Sequence, residues 1–558
     1  MRGPSQTTLF CVALVSLAAA EFKEEMMLVN LNQEATAIHF QFTTTSKTST
    51  VNGTYLSNDA PEEFPLPIRA LAETLAIDEF TLTLSRGQWL ERWGNRVHRR
   101  NVPSGVSLFA SFVDDQHLTK SVDDRWTELK QSLSGLFCSG IAHMNKDTTL
   151  SERINVENVF VDTHPSIAQA MMNVTSDPRA IRYGILSFEP VCTENLMPWI
   201  RLLPCRDQRG LASWIDSSDA FATPFHELVV HFKRCVSENL TKDVVRPWEL
   251  TQTFTVVKSG SRWHRDSIPT PCVATVASSI YIDSRVANES DESVMHITPT
   301  PSYVDIGSNA RFSIAEIDVM SLDSILRSGG LDVEFLQSSK ASSRSMPPPI
   351  SIQRIELGHL TARKRALETR LRNNLRNTTQ RAILIDVLPW FLRRRYASIR
   401  VRLGGRTLDT KYLWREGGLR ISPARHREAP SLLQLSIDIP AQRELSLYFE
   451  FSATFRQADD IPPDPNRGFD ALYAVCILRP EGPGSKGMPD WRSPLLRDIS
   501  GKGGMVVVQS SPMVVMLPIL DVAMPFNVIA LTSTAIAFVL GSIINIVSRP
   551  KKQWLVKL

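Results

Sequence analysis

The chain carries no charged residue from Pro525 to Val547, and Val, Ile, Leu, Phe and Ala dominate these 23 positions. A hydrocarbon core of about 30 Å takes about 20 helical residues to cross, so the run predicts one transmembrane helix over 524–547. Arg549, Lys551, Lys552 and Lys557 follow, and a basic flank of this kind puts the tail 548–558 in the cytosol. A removable C-terminal attachment signal ends in its apolar tail, without a basic extension, so the helix is expected to stay in the mature protein. At the other end, Met1-Arg2-Gly3 precedes an apolar stretch from Leu9 to Leu17 and then Ala18-Ala19-Ala20. A basic start, a short apolar core and a small-residue cleavage site predict a signal peptide over 1–20. The two ends imply a single-pass type I protein whose residues 21–523 fold on the lumenal or extracellular side.

Sequons and cysteines agree with that compartment. Asn52, Asn173, Asn239, Asn288 and Asn377 each open an Asn-x-Ser/Thr sequon, and all five lie on the expected lumenal side. Of seven cysteines, Cys11 leaves with the signal peptide, and Cys138, Cys192, Cys205, Cys235, Cys272 and Cys476 remain. In an oxidising compartment they read as bridges whose pairing is open. No Cys-x-x-Cys pair supports a zinc ribbon or a thioredoxin-like site.

The chain is 43% hydrophobic and 22% charged, as expected of folded protein rather than of disorder, collagen or a polytopic membrane protein. Lys and Arg number 62 against 58 Asp and Glu, and the net +4 is too small for a nucleic-acid footprint. Alternating apolar residues at Ile38-Phe40-Phe42, Phe80-Leu82-Leu84, Val106-Leu108-Ala110-Phe112, Leu435-Ile437-Ile439 and Leu447-Phe449-Phe451 each mark one face of a strand. Helical signals are fewer: Ile68, Leu71, Ala72 and Leu75 share a helical face, and Trp126–Leu136 forms a second short helix. Ser residues and Pro347-Pro348-Pro349 mark a linker, placed at 341–351, and a second loose stretch runs from Pro480 to Gly504. The expected fold is mainly β, with tandem sandwich-like lumenal domains at 21–340 and 352–523, a few helices and the terminal membrane helix.

The segment Arg363–Arg381 is basic, with Leu360, Leu367, Leu371 and Leu375 at near-helical spacing. A surface for lipid headgroups or phosphate is one reading. A solvated helix or loop is the preferred one, because the Asn377 sequon demands exposure. His226 and His231 sit in a stretch that resembles a zinc-protease motif, but they are five residues apart instead of four, which puts them on opposite faces of a strand. There is no Gly-x-Ser-x-Gly elbow, and Gly501-Lys502-Gly503-Gly504 lacks the other residues of a phosphate-binding loop. A Cys–His nucleophile is less economical than bridges for the six lumenal cysteines. No catalytic residue, metal site or cofactor is therefore expected. Trp89, Trp93 and Trp390 are expected to anchor a core or an interface. Asn527, at the entrance of the apolar span, is read as a helix cap or as a contact to a lipid or a neighbouring span.

Seven blocks follow one another over nearly the whole mature chain. They are Thr81–Gly94 (TLTLSRGQWLERWG), Ser134–Cys138 (SGLFC), Val191–Leu196 (VCTENL), Leu202–Cys205 (LLPC) with Gly210-Leu211, Asp386–Trp390 (DVLPW), Asp464–Phe469 (DPNRGF) and Met524–Ile529 (MPFNVI). In this order they resemble the PIG-T family, called Gpi16 in fungi, of subunits of the GPI transamidase complex. The resemblance implies a non-catalytic scaffold in the membrane of the endoplasmic reticulum. Its partners would be a caspase-like catalytic subunit and other membrane subunits, with GPI lipid and proprotein substrates met through the complex, and no nucleic acid. It also implies that Cys192, in the VCTENL block, forms a disulfide to the catalytic subunit. Cys476 has no family counterpart and is expected to stay unpaired, leaving Cys138, Cys205, Cys235 and Cys272 to bridge among themselves. Two other classes compete: a type I adhesion or receptor ectodomain, and an anchored lumenal hydrolase. The tail does not arbitrate, because Leu555 and Val556 stand where retrieval lysines would be.

Overall fold

The computed structural model describes residues 21–32, 35–46, 64–93, 104–113, 120–145, 148–150, 181–217, 221–234, 248–259, 262–265, 272, 274–284, 295–297, 302–305, 313–318, 333–336, 350–358, 365–454, 456–457, 468–478, 506–517 and 523–549. The signal peptide 1–20, most of the linker, the stretch Pro480–Gly504 and most of the DPNRGF block lie outside these residues.

Alternation of apolar side chains becomes strands. The first fourteen are β1 (Glu21–Asn32), β2 (Ala35–Thr45), β3 (Ile77–Arg86), β4 (Gly105–Phe112), β5 (Thr149–Leu150), β6 (Ile181–Leu186), β7 (Phe225–Arg234), β8 (Trp248–Ser259), β9 (Arg262–Arg265), β10 (Thr275–Ser284), β11 (Met295–Ile297), β12 (Ser302–Asp305), β13 (Ser313–Asp318) and β14 (Val333–Leu336). Eleven of them make one sheet in the order β12-β13-β10-β1-β2-β8-β7-β3-β4-β6-β5, and β11, β14 and β9 make a small second sheet. Neighbours in the large sheet are antiparallel, except that β1 runs parallel to β10, with Met26 opposite Ile280. A parallel pair needs a long crossover, and the whole stretch between the two strands supplies it.

One face of this sheet presents Met26, Phe40, Phe42, Phe80, Leu82, Leu228 and Phe254 to α1 (Leu66–Thr74), α3 (Val122–Phe137) and α4 (Thr193–Arg201). The helices bury Ile68 and Ala72, Trp126, Leu129 and Leu133, and Leu196 and Trp199. Here helices take the place of a second sheet. On the other face, Trp89 and Trp93 of the short α2 (Trp89–Trp93) pack edge-on against Phe225.

The C-terminal region holds two main sheets and a short two-stranded one. It contains β15 (Ile350–Leu357), β16 (Arg365–Asn373), β17 (Gln380–Leu388), β18 (Leu392–Arg394), β19 (Arg400–Leu403), β20 (Arg406–Leu408), β21 (Leu419–Ser422), β22 (Ser431–Ile439), β23 (Glu444–Ala453), β24 (Phe469–Ala471), β25 (Ala474–Leu478) and β26 (Val506–Gln509), with α5 (Thr410–Arg415) between β20 and β21. One sheet runs β15-β16-β23-β19-β20 with β18 on β23, and the other runs β21-β22-β17-β25-β26. Asp386 of the second sheet receives Arg354, Thr369 and Arg394 from the first at 3.2, 3.2 and 2.6 Å, so these faces meet. Arg354 also donates to the Leu472 and Val387 carbonyls. The outer face of the second sheet, with Ile383, Ile385 and Tyr473, packs on Phe109, Ile181 and Tyr183 from the N-terminal sheet. The Tyr183 and Tyr473 hydroxyls are hydrogen-bonded at 2.7 Å.

Three expectations change. The basic segment is neither helix nor loop over most of its length: Arg365–Asn373 is β16, in register with β15 and β23. Leu367 and Leu371 are buried there while Arg372 between Leu371 and Asn373 is exposed. A spacing of four is a multiple of two as well as close to the helical repeat, which is why the pattern misled. The linker placed at 341–351 ends early, since Ile350 and Ser351 already belong to β15. The terminal helix, α6 (Ala523–Val547), starts four residues before Asn527. Asn527 is thus inside the helix and does not cap it, because Pro525 fits the first turn without a missing hydrogen bond. Residues Phe526–Val547 of α6 have a mean hydropathy of 2.0 and a length sufficient to cross a membrane.

Candidate functional site

Two family-like blocks, far apart in sequence, end up joined through one amide. α3 begins at Ser121, whose hydroxyl accepts the Asp124 N–H, and ends at Cys138, which adopts a left-handed conformation with φ 51°. α4 begins after Cys192. Asn195, in the first turn of α4 and 1% exposed, accepts the Cys192 N–H at 2.8 Å. Its amide nitrogen donates to the Phe137 carbonyl at 2.8 Å and to the Cys138 carbonyl at 3.2 Å. A buried Asn with both ends satisfied holds the two backbones rigidly. Gly140 N–H donates to Glu189 at 2.6 Å, tying the segment before α4 to the same turn. Cys138 and Cys192 both carry exposed thiols at this junction. Phe188, four residues before Cys192, and Met197, five after it, are 40% and 43% exposed.

Behind this surface the fold is firmly anchored. Trp199 of α4 donates its indole N–H to the Val229 carbonyl at 3.1 Å and stands edge-on to Phe42. His226 lies buried against Phe221, and burial pulls its pKa down to about 4, partly opposed by the Val191 backbone. His231, on the opposite face of β7, instead contacts Thr81 at 2.8 Å. The two histidines therefore do not converge.

The LLPC block is secured separately. Cys205 and Cys272 form a disulfide. A few residues on, Leu211 N–H donates to the Glu24 carboxylate of β1 at 3.2 Å. Gly210 has φ +70°, which strains any residue with a side chain, and a Cβ there would lie 2.1 Å from Glu24 Oε1 and displace the carboxylate. Burial raises the pKa of Glu24 to about 7, with the Leu211 N–H opposing. Of the four cysteines expected to bridge among themselves, Cys205 and Cys272 are joined, Cys138 is a free surface thiol and Cys235 lies outside the described residues. Cys476 is free and buried on β25, and burial pushes its thiol pKa well up. Asn377 is exposed in the turn between β16 and β17, and Asn527 is exposed on α6. Asn52, Asn173, Asn239 and Asn288 lie outside the described residues. Sequence reasoning missed Asn195 and Asp386, although both stand inside the blocks that carried the resemblance.

Chemically, the junction offers surface thiols with exposed apolar side chains near them in sequence, and among the described residues one helix, α6, is long and apolar enough to cross a membrane. A family profile described as Gpi16 subunit, GPI transamidase component, matches residues 6–278 and 273–554. The chain belongs to this family of GPI transamidase components. Among its relatives, the GPI-anchor transamidase component PIGT of Homo sapiens is 28% identical over 94% of this chain and 90% of its own length. The PIG-T homolog of Schizosaccharomyces pombe is 23% identical over 97% and 93%, and GPI16 of Saccharomyces cerevisiae is 24% identical over 94% and 88%. A collagen-binding domain from a Staphylococcus aureus adhesin reaches a TM-score of 0.17 at 8% identity, covering 29% of this chain and 96% of its own, and carries no argument about fold.

Proposed function

We propose that this chain is the non-catalytic scaffold of a GPI transamidase in the membrane of the endoplasmic reticulum. Residues 21–523 lie in the lumen, α6 spans the bilayer and the tail is cytosolic. In this reading Cys192 is bonded to a cysteine-protease-like catalytic subunit, which cleaves the proprotein and passes its acyl group to the amine of a GPI lipid. The observation that carries the proposal is the fixed, exposed position of Cys192 at the start of α4, held by Asn195 in a chain of this family. A bond between chains raises the local concentration of one partner at the other, so non-covalent contacts around Phe188 and Met197 still permit assembly without it.

Affinity purification of the full chain in mild detergent tests the assignment. Co-purification of a cysteine-protease-like subunit, joined to this chain in one high-mass band on a denaturing gel until it is reduced, is the expected result; a chain recovered alone would overturn it. Topology is tested in sealed microsomes, where an epitope after Leu558 should be digested by added protease while the glycosylated region is protected.

A further inference from the structure

Tyr412 and Trp414 are 61% and 54% exposed on α5, a helix in which no residue is buried. Large aromatic side chains left this exposed on one short helix mark a contact. The surrounding chain is basic: from Arg393 to Arg420 there are nine Arg or Lys against two acids, Asp409 and Glu416, although Arg394 is buried on Asp386 and Arg395 is paired with Glu450 at 2.8 Å. Asp409 is used to cap α5, accepting the Lys411 N–H at 2.9 Å. On β19, Arg400 and Arg402 are exposed on one face while Val401 between them is buried. The edge strand β20 pairs with β19 and leads directly into α5.

Register widens the surface. Ser446 on β23 stands between Arg402 of β19 and Arg370 of β16, and Tyr448 stands between Arg400 and Glu368. The basic strand from the segment Arg363–Arg381 and the basic stretch around β19 therefore share the outer face of one sheet, whose edge strand β20 runs on in the chain into the aromatic helix. Arg370 is paired with Glu368 at 2.7 Å, so the excess positive charge is concentrated towards β19, β20 and α5.

We infer that this face docks on anionic phospholipid headgroups of the bilayer that the chain's own α6 crosses. Tyr and Trp settle at the boundary between water and acyl chains, where basic side chains meet phosphate. Covalent attachment to a membrane helix keeps the face near such a surface, so a weak affinity suffices. Each basic side chain near an anionic bilayer favours docking by about fivefold. The inference rests on reading α6 as a membrane span, and the test separates the two.

The full chain is reconstituted into vesicles of phosphatidylcholine with brominated acyl chains, with or without phosphatidylserine. Quenching of Trp414 is taken as the difference between wild type and Trp414→Phe. Quenching should appear with phosphatidylserine and be absent with phosphatidylcholine alone. Raised salt should reduce it, and Arg400→Ala with Arg402→Ala should lower the docked-to-undocked ratio about 25-fold. Unchanged emission from the other tryptophans shows that this variant is folded. No Trp414 quenching in either lipid, or equal quenching in both, would overturn the inference. Alkaline extraction of the chain from the vesicles would overturn the reading of α6, and this inference with it. In cells, a photoreactive phenylalanine at position 412 should capture lipid, and capture of a protein subunit would reassign the face to a protein partner.

Discussion

Asn195 joins Cys192 to the end of α3, and its removal would leave the Phe137 carbonyl and the Cys192 N–H without that partner. Asn195→Ala should lower stability by about 1–3 kcal/mol and reduce the fraction of chain in the high-mass species on a non-reducing gel. Cys192→Ser should abolish that species while leaving the complex recoverable. Cys138→Ser should leave both the species and the yield unchanged, since Cys138 is an exposed thiol with no bridge to lose. Glu24 gives a pH-dependent test. Its pKa is about 7 when folded and about 4.5 in the unfolded chain, so folding holds a proton that the unfolded state releases. The folded state is therefore favoured most below pH 4.5, loses stability as pH rises from there to about 7, and above that bears the full cost of about 3 kcal/mol. Glu24→Gln, which keeps an oxygen for the Leu211 N–H, should raise the Tm at pH 8 and leave it little changed at pH 4.5.

At the scale of elements, the C-terminal pair of sheets is held around a buried charge cluster. Arg354, Arg394 and Asp386 have fully buried side chains. Arg394 also lies 4.2 Å from the Phe449 ring, which supplies further compensation for its charge. Removing the one carboxylate leaves two buried guanidinium groups unbalanced. Asp386→Ala should cost about 3–5 kcal/mol and expose the region to limited proteolysis at temperatures where wild type resists. The Cys205–Cys272 disulfide spans 67 residues, a loop whose closure contributes about 4 kcal/mol by chain entropy. Cys205→Ser, Cys272→Ser and the double variant should therefore melt together, because each removes the same bond. A larger loss in the double variant would show that the two thiols act separately.

At the scale of the molecule, the two sheet regions belong to one compact unit, and Gln457–Phe469 with Val515–Leu558 forms another. The linker near residue 345 suggested two lumenal domains, yet Phe109, Ile181 and Tyr183 share a buried cluster with Ile383, Ile385 and Tyr473. A fragment beginning at residue 350 exposes that apolar face to water. Expressed alone, 350–558 should aggregate; co-expressed with 1–349 it should be recovered in a stable, non-covalent pair, as judged by co-purification after detergent extraction.

Local information was enough for much of this protein. An uncharged run of membrane length declares itself by composition, and strands with one buried face declare themselves by alternation, as do the helices at Ile68–Leu75 and Trp126–Leu136. The family blocks were legible too, because each is short and continuous. What they do in the fold was not. Asn195 looks like any polar residue near a helix start until Phe137 and Cys138 arrive from far away in the chain. Asp386 is one acid in an apolar strand until two arginines from the facing sheet close on it. The spacing of Leu367 and Leu371 fits two periodicities, and only pairing with β15 and β23 selects the strand. Hydrogen bonds and ion pairs between distant segments depend on which surfaces the whole chain buries together, so these were decided by tertiary structure alone.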